Sequence, residues 1–111
     1  MPVMRPLSAL ADPTRQRIVE MLGKGELSSG EIADHFAITA PAISQHLKVL
    51  KAAHLVRVRV EAQRRIYCLD PMGFAELDQW LTKIAEFWHG KLNLLEDQLR
   101  RVATQERKRR A

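Results

Sequence analysis

Between residues 40 and 69 the hydrophobic pattern changes period, and that change constrains the fold more than any other feature. In "APAISQHLKVLKA" (40–52) Ile43, Leu47 and Leu50 recur at the spacing of one helix face. Four residues further on, "VRVRV" sets Val56, Val58 and Val60 against Arg57 and Arg59, the alternation of a half-buried strand. "RRIYCL" at 64–69 is a second short strand, and the residues between suit a hairpin. That turn holds no Gly or Asn, the residues hairpin loops favour, so its type is left open. The chain must therefore place a helix directly before a basic hairpin.

Start and stop signals mark further helices. Asp12-Pro13 is a capping residue followed by proline at the first helical position, where the missing N–H costs nothing. Ile18, Val19 and Leu22 follow at helical spacing, and Gly23 and Gly25 end the run. "SSGE" at 28–31 reads as a capping box from Ser28 to Glu31, opening a short helix with Ile32, Ala33 and Phe36 inward. A tight "AIT" turn leads to Thr39, the cap of the next helix, which runs from about Ala40 to Ala52. Asp70-Pro71 repeats the cap-then-proline start for a long helix reaching about Val102. The expected fold is mainly α with a small β-hairpin: a winged helix-turn-helix in the order α-α-α-α-β-β-α, dimeric through the long C-terminal helix. Residues 1–102 form one DNA-binding and dimerisation domain in this reading, and 103–111 a basic, disordered tail without an apolar face.

On a wheel at about 100° per residue, the helix from Ala40 has two unlike faces. Ile43, Leu47 and Leu50 form the buried stripe. Pro41, Gln45, Lys48 and Ala52 lie opposite, with Ser44 on the flank. Small residues near the N-terminal end let such a helix sit deep in a major groove. There Ala40 and Pro41 can touch thymine methyls and Gln45 can bond an adenine edge. Thr39, Ser44 and Lys48 suit phosphate oxygens near the positive helix terminus. Arg57, Arg59, Arg64 and Arg65 of the hairpin suit the adjacent backbone or minor groove. His46 lies about 60° from the core stripe and reads as a half-buried, hydrogen-bonded structural residue.

The charge distribution points the same way. Net charge is +5, with six Lys/Arg against Glu61 alone between 35 and 69, and six against Glu106 alone after residue 97. Residues 70–97 hold six acids and two lysines. Basic charge gathered on the hairpin region and tail fits a polyanionic partner. Composition is 46% hydrophobic and 28% charged, as in a globular domain. No run of 18 apolar residues exists to span a membrane, and no secretory layout opens the chain. One cysteine, Cys68, excludes an internal disulfide and suits a reducing cytoplasm. It reads as a small strand residue.

"LADPTRQRIVEML", "GEIADHF" and "APAISQHLKVLKAAHLVRVRVEAQRRIYCLDP" resemble the ArsR-type winged-helix repressors of bacteria, over roughly residues 7–71. The resemblance implies a homodimer whose helix 40–52 enters the major groove. Ala40, Pro41, Ser44 and Gln45 then fall on its DNA-contacting positions, and Arg64 and Arg65 on its wing. Ala62-Gln63 stand where a wing glycine is usual. Many such repressors sense metals, either at a Cys-x-Cys within "ELCxC" or at an Asp-x-His-x10-His-x2-Glu set along the long helix. Here the first stretch reads "ELSSG", with Ser28 and Gly30 in place of both thiols, which leaves no soft ligand. From Asp78 the second set continues Trp80, Lys91 and Leu94. The expectation is no metal and no cofactor.

The long helix is apolar on more than one side. Phe74, Leu77, Leu81, Ile84, Trp88, Leu95 and Val102 follow 3-4 spacing, interrupted by Lys91. Leu92 and Leu99 widen the stripe. A small domain cannot bury this alone. A two-fold dimer does, and supplies a second DNA half-site one helical turn away. Leu77, Leu81, Ile84, Trp88, Leu92, Leu95 and Leu99 are the expected interface. Trp80, Phe87 and Trp88 read as core aromatics rather than a ligand pocket.

The function expected is a sequence-specific DNA-binding transcriptional regulator, a repressor that binds double-stranded operator DNA at an inverted repeat. It works in the cytoplasm as a homodimer, with no membrane partner and any small-molecule inducer unidentified. The rival is a winged-helix protein-interaction module with only non-specific DNA affinity. No Ser/His/Asp set, phosphate loop or paired carboxylates argue for an enzyme.

Overall fold

The computed structural model describes residues 3–110. Met1, Pro2 and Ala111, the outer ends of the two expected segments, lie outside the described residues. The chain divides into two compact units, one running to Asp78 and the other starting at Gln79. The first unit contains α1 (Met4–Ala9), α2 (Pro13–Gly23), β1 (Leu27–Ser28), α3 (Ser29–Ala33), α4 (Ala40–Ala52), β2 (Val56–Glu61) and β3 (Arg64–Leu69). It also holds the first two turns of α5 (Pro71–Arg110).

Local chemistry sets the helix starts. The Asp12 carboxylate accepts from the Arg15 N–H at 3.0 Å, with Pro13 as the first residue of α2. Thr39 Oγ1 accepts from the Ala42 N–H at 3.2 Å and starts α4 at Ala40. At α3 the capping box is complete: Ser28 Oγ accepts from the Glu31 N–H and Glu31 Oε1 accepts from the Ser28 N–H.

Between α2 and the wing, two features depart from the sequence reading. The connection between α3 and α4 is the six residues 34–39, not a three-residue turn. The last turn of α3 tightens into i→i−3 bonds from His35 and Phe36, which ends the α-helical bonding early. The second departure is strand β1. Its two residues pair antiparallel with β3, Leu27 with Tyr67 and Ser28 with Ile66, giving a sheet in the order β1-β3-β2. Two residues have no period, so no pattern announces them.

Ile18, Ile32, Ile43, Leu47, Leu50, Leu55 and Val56 are fully buried and form the core of this unit. Each such side chain contributes roughly 1.5–3 kcal/mol relative to its exposed state. The start of α5 is sewn to the turn between α4 and β2. Asp70 N–H donates to the Leu55 carbonyl at 2.9 Å and Gly73 N–H to the His54 carbonyl at 2.8 Å. A Cβ on Gly73 would lie 2.5 Å from that carbonyl oxygen, so only glycine permits the approach.

The second unit is the rest of α5. It runs to Arg110, eight residues beyond the expected end at Val102, and these residues are helical rather than disordered. "ATQERKRR" contains no Gly or Pro and, Thr104 apart, is built of good helix formers. Its four terminal basic residues complement the negative end of the helix dipole. No described helix is long and apolar enough to cross a membrane.

Candidate nucleic-acid interface

The presenting element is α4. Ile43, Leu47 and Leu50 are at most 1% exposed, which fixes the helix by its inner face. Thr39, Ala40, Pro41, Ser44, Gln45 and Lys48 are all exposed. The side chains of Gln45 and Lys48 have no hydrogen bond or ion pair among the described residues. A helix anchored by its inner face thus offers solvent a small-residue start followed by polar side chains at one side, as the wheel expects.

His46 braces this helix. It is half-buried, and its Nδ1 lies 3.3 Å from the Arg15 guanidinium and 3.8 Å from the Asp12 carboxylate. Arg15 also donates from Nε to the Ala9 carbonyl at 2.6 Å, so one side chain joins α1, α2 and α4. The Arg15 backbone N–H, with the nearby Arg15 and His46 side chains, holds the Asp12 carboxyl below its ordinary pKa.

The wing is β2 and β3, paired from Val56 with Leu69 to Glu61 with Arg64. Its loop is Ala62-Gln63. Ala62 has φ +58°, the left-handed region at the first loop position that a type II′ turn gives to glycine. Val56 is buried and Val58 half-buried, but Val60 is 72% exposed. The alternation therefore marks a strand whose tip has left the core.

The four wing arginines do not form one set. Cross-strand pairing places Arg57, Arg59 and Arg64 on one face and Arg65, opposite Val60, on the other. Arg59 sits between two carboxylates, 2.6 Å from Glu26 and 3.3 Å from Glu61. The Glu26 hydrogen bond, above all, raises its pKa, so it stays charged. Arg64 Nη2 lies 2.9 Å from Glu31 Oε1. Arg57 and Arg65 have no ion pair among the described residues. Sequence reasoning missed these acids as partners of the arginines. Glu26 and Glu31 each lie 33 positions from the arginine they hold, and only β1 and α3 bring them to the wing.

Glu31 is held below the ordinary carboxylate pKa, first by the Ser28 backbone N–H, then by the Ser28 hydroxyl and Arg64. Ser28 Oγ is occupied by the α3 cap, and no three His, Cys, Asp or Glu gather as a metal set among the described residues.

On α5, Leu77 is only 7% exposed and belongs to the core of the first unit, which corrects its place in the expected interface. Leu81, Ile84, Trp88, Leu92, Leu95 and Leu99 are exposed, as are Phe87, Leu94 and Val102. Phe87 and Trp88 meet edge to face at 6.3 Å, and the Lys91 ammonium lies 5.5 Å over the Phe87 ring.

Helix, turn, presenting helix and basic hairpin on one core define a winged helix-turn-helix, a class of DNA-binding module. Residues 10–59 match the family model described as a helix-turn-helix domain. Over 84 residues, 76% of either chain, the protein is 50% identical to the HTH-type transcriptional regulator Rv2034 of Mycobacterium tuberculosis. It is 36% identical over 73 residues to the transcriptional repressor SdpR of Bacillus subtilis, covering 66% of this chain and 81% of that one. Among solved structures it resembles a homodimeric winged helix-turn-helix DNA-binding domain from Mycobacterium bovis, a possible ArsR-family regulator. The TM-score is 0.63 at 29% identity, over 77% of this chain and 79% of that one. The protein belongs to the ArsR-type family of winged helix-turn-helix regulators and is a DNA-binding transcriptional regulator.

Proposed function

We propose that the protein is a homodimeric repressor that binds an inverted repeat in operator DNA and blocks polymerase by occupying the promoter. One observation carries this reading: α4 is locked by its inner face while Pro41, Ser44, Gln45 and Lys48 stand exposed on its outer side. In the proposed complex Ala40 and Pro41 face thymine methyls and Gln45 reads an adenine edge. Thr39, Ser44 and Lys48 hold phosphates, and Arg57 and Arg65 extend the contact along the backbone. The repressor name of SdpR and the dimeric state of the M. bovis domain support the finer reading.

Leu81, Ile84, Trp88, Leu92, Leu95 and Leu99 form the dimer seam in this proposal, with residues up to about 102 as the DNA-binding and dimerisation domain. The site of action is the cytoplasm, and the chemistry is binding rather than catalysis.

The test is binding to the DNA upstream of the protein's own gene, against scrambled DNA, across a salt series. A preference of roughly a thousandfold or more that survives added salt marks operator recognition. Equal, steeply salt-dependent binding to both, repeated in a genome-wide selection, sinks the repressor reading and leaves an interaction module.

A further inference from the structure

We propose that Glu31 is an acidic competitor built into the DNA-contacting surface, holding Arg64 on α3 and yielding it to a DNA phosphate. Glu31 then sets how much the wing contributes to binding. This rests on the reading of the wing as a DNA contact.

Glu31 Oε1 receives two donors, the Ser28 backbone N–H at 3.0 Å and Arg64 Nη2 at 2.9 Å. The first completes the α3 cap and does not need the second. The ion pair is open to water, with Arg64 62% and Glu31 50% exposed. Exposed pairs of this kind are worth only about a few-fold in an equilibrium, so a stronger anion can take the arginine. A phosphate is such an anion: it accepts two parallel guanidinium bonds and sits in a dense field of like charge. An open groove of about 390 Å³, lined by Ser28, Ser29, Gly30, Gln63, Arg64 and Arg65, gives it access from solvent. Arg59 provides the contrast. Held by Glu26 and Glu61 together, it ties the wing to the residue before β1 and has two carboxylates to leave rather than one.

Exchange has a consequence for the acid. Once Arg64 moves to phosphate, Glu31 is left without its ion-pair partner beside a polyanion, a penalty that does not depend on base sequence. The native protein therefore binds all DNA more weakly than its count of basic residues implies.

The experiment is a double-mutant cycle, Glu31→Gln with Arg64→Ala, read as affinity for operator and scrambled DNA at low salt. The glutamine side chain keeps an acceptor for the Ser28 N–H, so α3 stays capped, and circular dichroism melts check the fold. Glu31→Gln should tighten binding to both DNAs by roughly threefold to fivefold. Arg64→Ala should then cost more in the Glu31→Gln background than in the native one. Equal cost in the two backgrounds, or weaker binding by a well-folded Glu31→Gln protein, overturns the exchange. Glu26→Gln removes the same charge from a carboxylate that does not touch Arg64. Equal coupling from that variant also overturns the proposal, because the effect is then general electrostatics. If Arg57→Ala, Arg64→Ala and Arg65→Ala each bind as the native protein does, the wing reading itself has failed, and the proposal with it.

Discussion

Two helices of this protein are written in the same way and meet opposite fates. Helix α4 carries Ile43, Leu47 and Leu50 on one side, and all three are buried within the chain. The part of α5 from Gln79 onward carries Leu81, Ile84, Trp88, Leu92, Leu95 and Leu99 at similar spacing, and all are exposed. Amphipathicity states that a face wants cover, not where the cover comes from. For α4 it comes from α2, α3, β2 and α1, which pack around it. For the far part of α5 these side chains stand exposed among the described residues, which is the physical motive for a second copy.

The comparison breaks first at Leu47. Leu47→Ala leaves a cavity under α4 and should cost about 2–5 kcal/mol, read by chemical denaturation, with DNA binding falling alongside. Leu95→Glu should do the reverse: a folded chain with an undisturbed melt of the winged helix, and a dimer weakened by about 2–4 kcal/mol in sedimentation equilibrium. An unchanged dimer would remove Leu95 from the seam. On the outer face of α4, Gln45→Ala should leave stability alone and relax preference at one base position by about 1–3 kcal/mol in a binding-site selection. An unchanged preferred sequence would mean that α4 lies differently on DNA.

Smaller effects sharpen the picture at the wing and the caps. Ala62→Gly relieves a left-handed alanine and should stabilise the fold by about 0.5–1 kcal/mol in thermal melts. Asp12 and Glu31 have folded pKa values below their ordinary ones. Their contribution is therefore complete above the ordinary carboxylate range and is lost as pH falls through the lowered folded values. The melting temperature should decline modestly below about pH 4, and Asp12→Asn, which keeps a cap but no titrating charge, should flatten that decline.

Much of the α4 side is legible in sequence because its signals are local. Thr39 as cap, Ala40 to Ala52 as helix and the buried trio follow from spacing and capping chemistry alone. The angle of His46 on the wheel suffices to place it as a half-buried brace. The wing is legible as a hairpin but not as an electrostatic object. Four arginines read alike in sequence, yet Arg59 and Arg64 hold carboxylates and Arg57 and Arg65 do not. Leu77 looks like the other leucines of α5, but Gly73 and Asp70 dock the helix start on the turn after α4, and Leu77 is buried there. The helicity of 103–110 escapes a reading that weighs a missing apolar face above strong intrinsic helix formers.

The sequence by itself determined the element types, the caps, the inner and outer faces of α4 and the family. The main elements, the caps and the faces of α4 rest on residues within a few positions of one another, where backbone geometry dictates who meets whom, and the family rests on sequence blocks spread over residues 7–71. Only the tertiary structure decided which charges neutralise each other, which leucine of α5 is core, and that a two-residue strand closes the sheet beside β3. Those contacts join residues tens of positions apart, and no local periodicity encodes them. They exist because the core of the first unit, once packed, brings β1 and α3 against the wing.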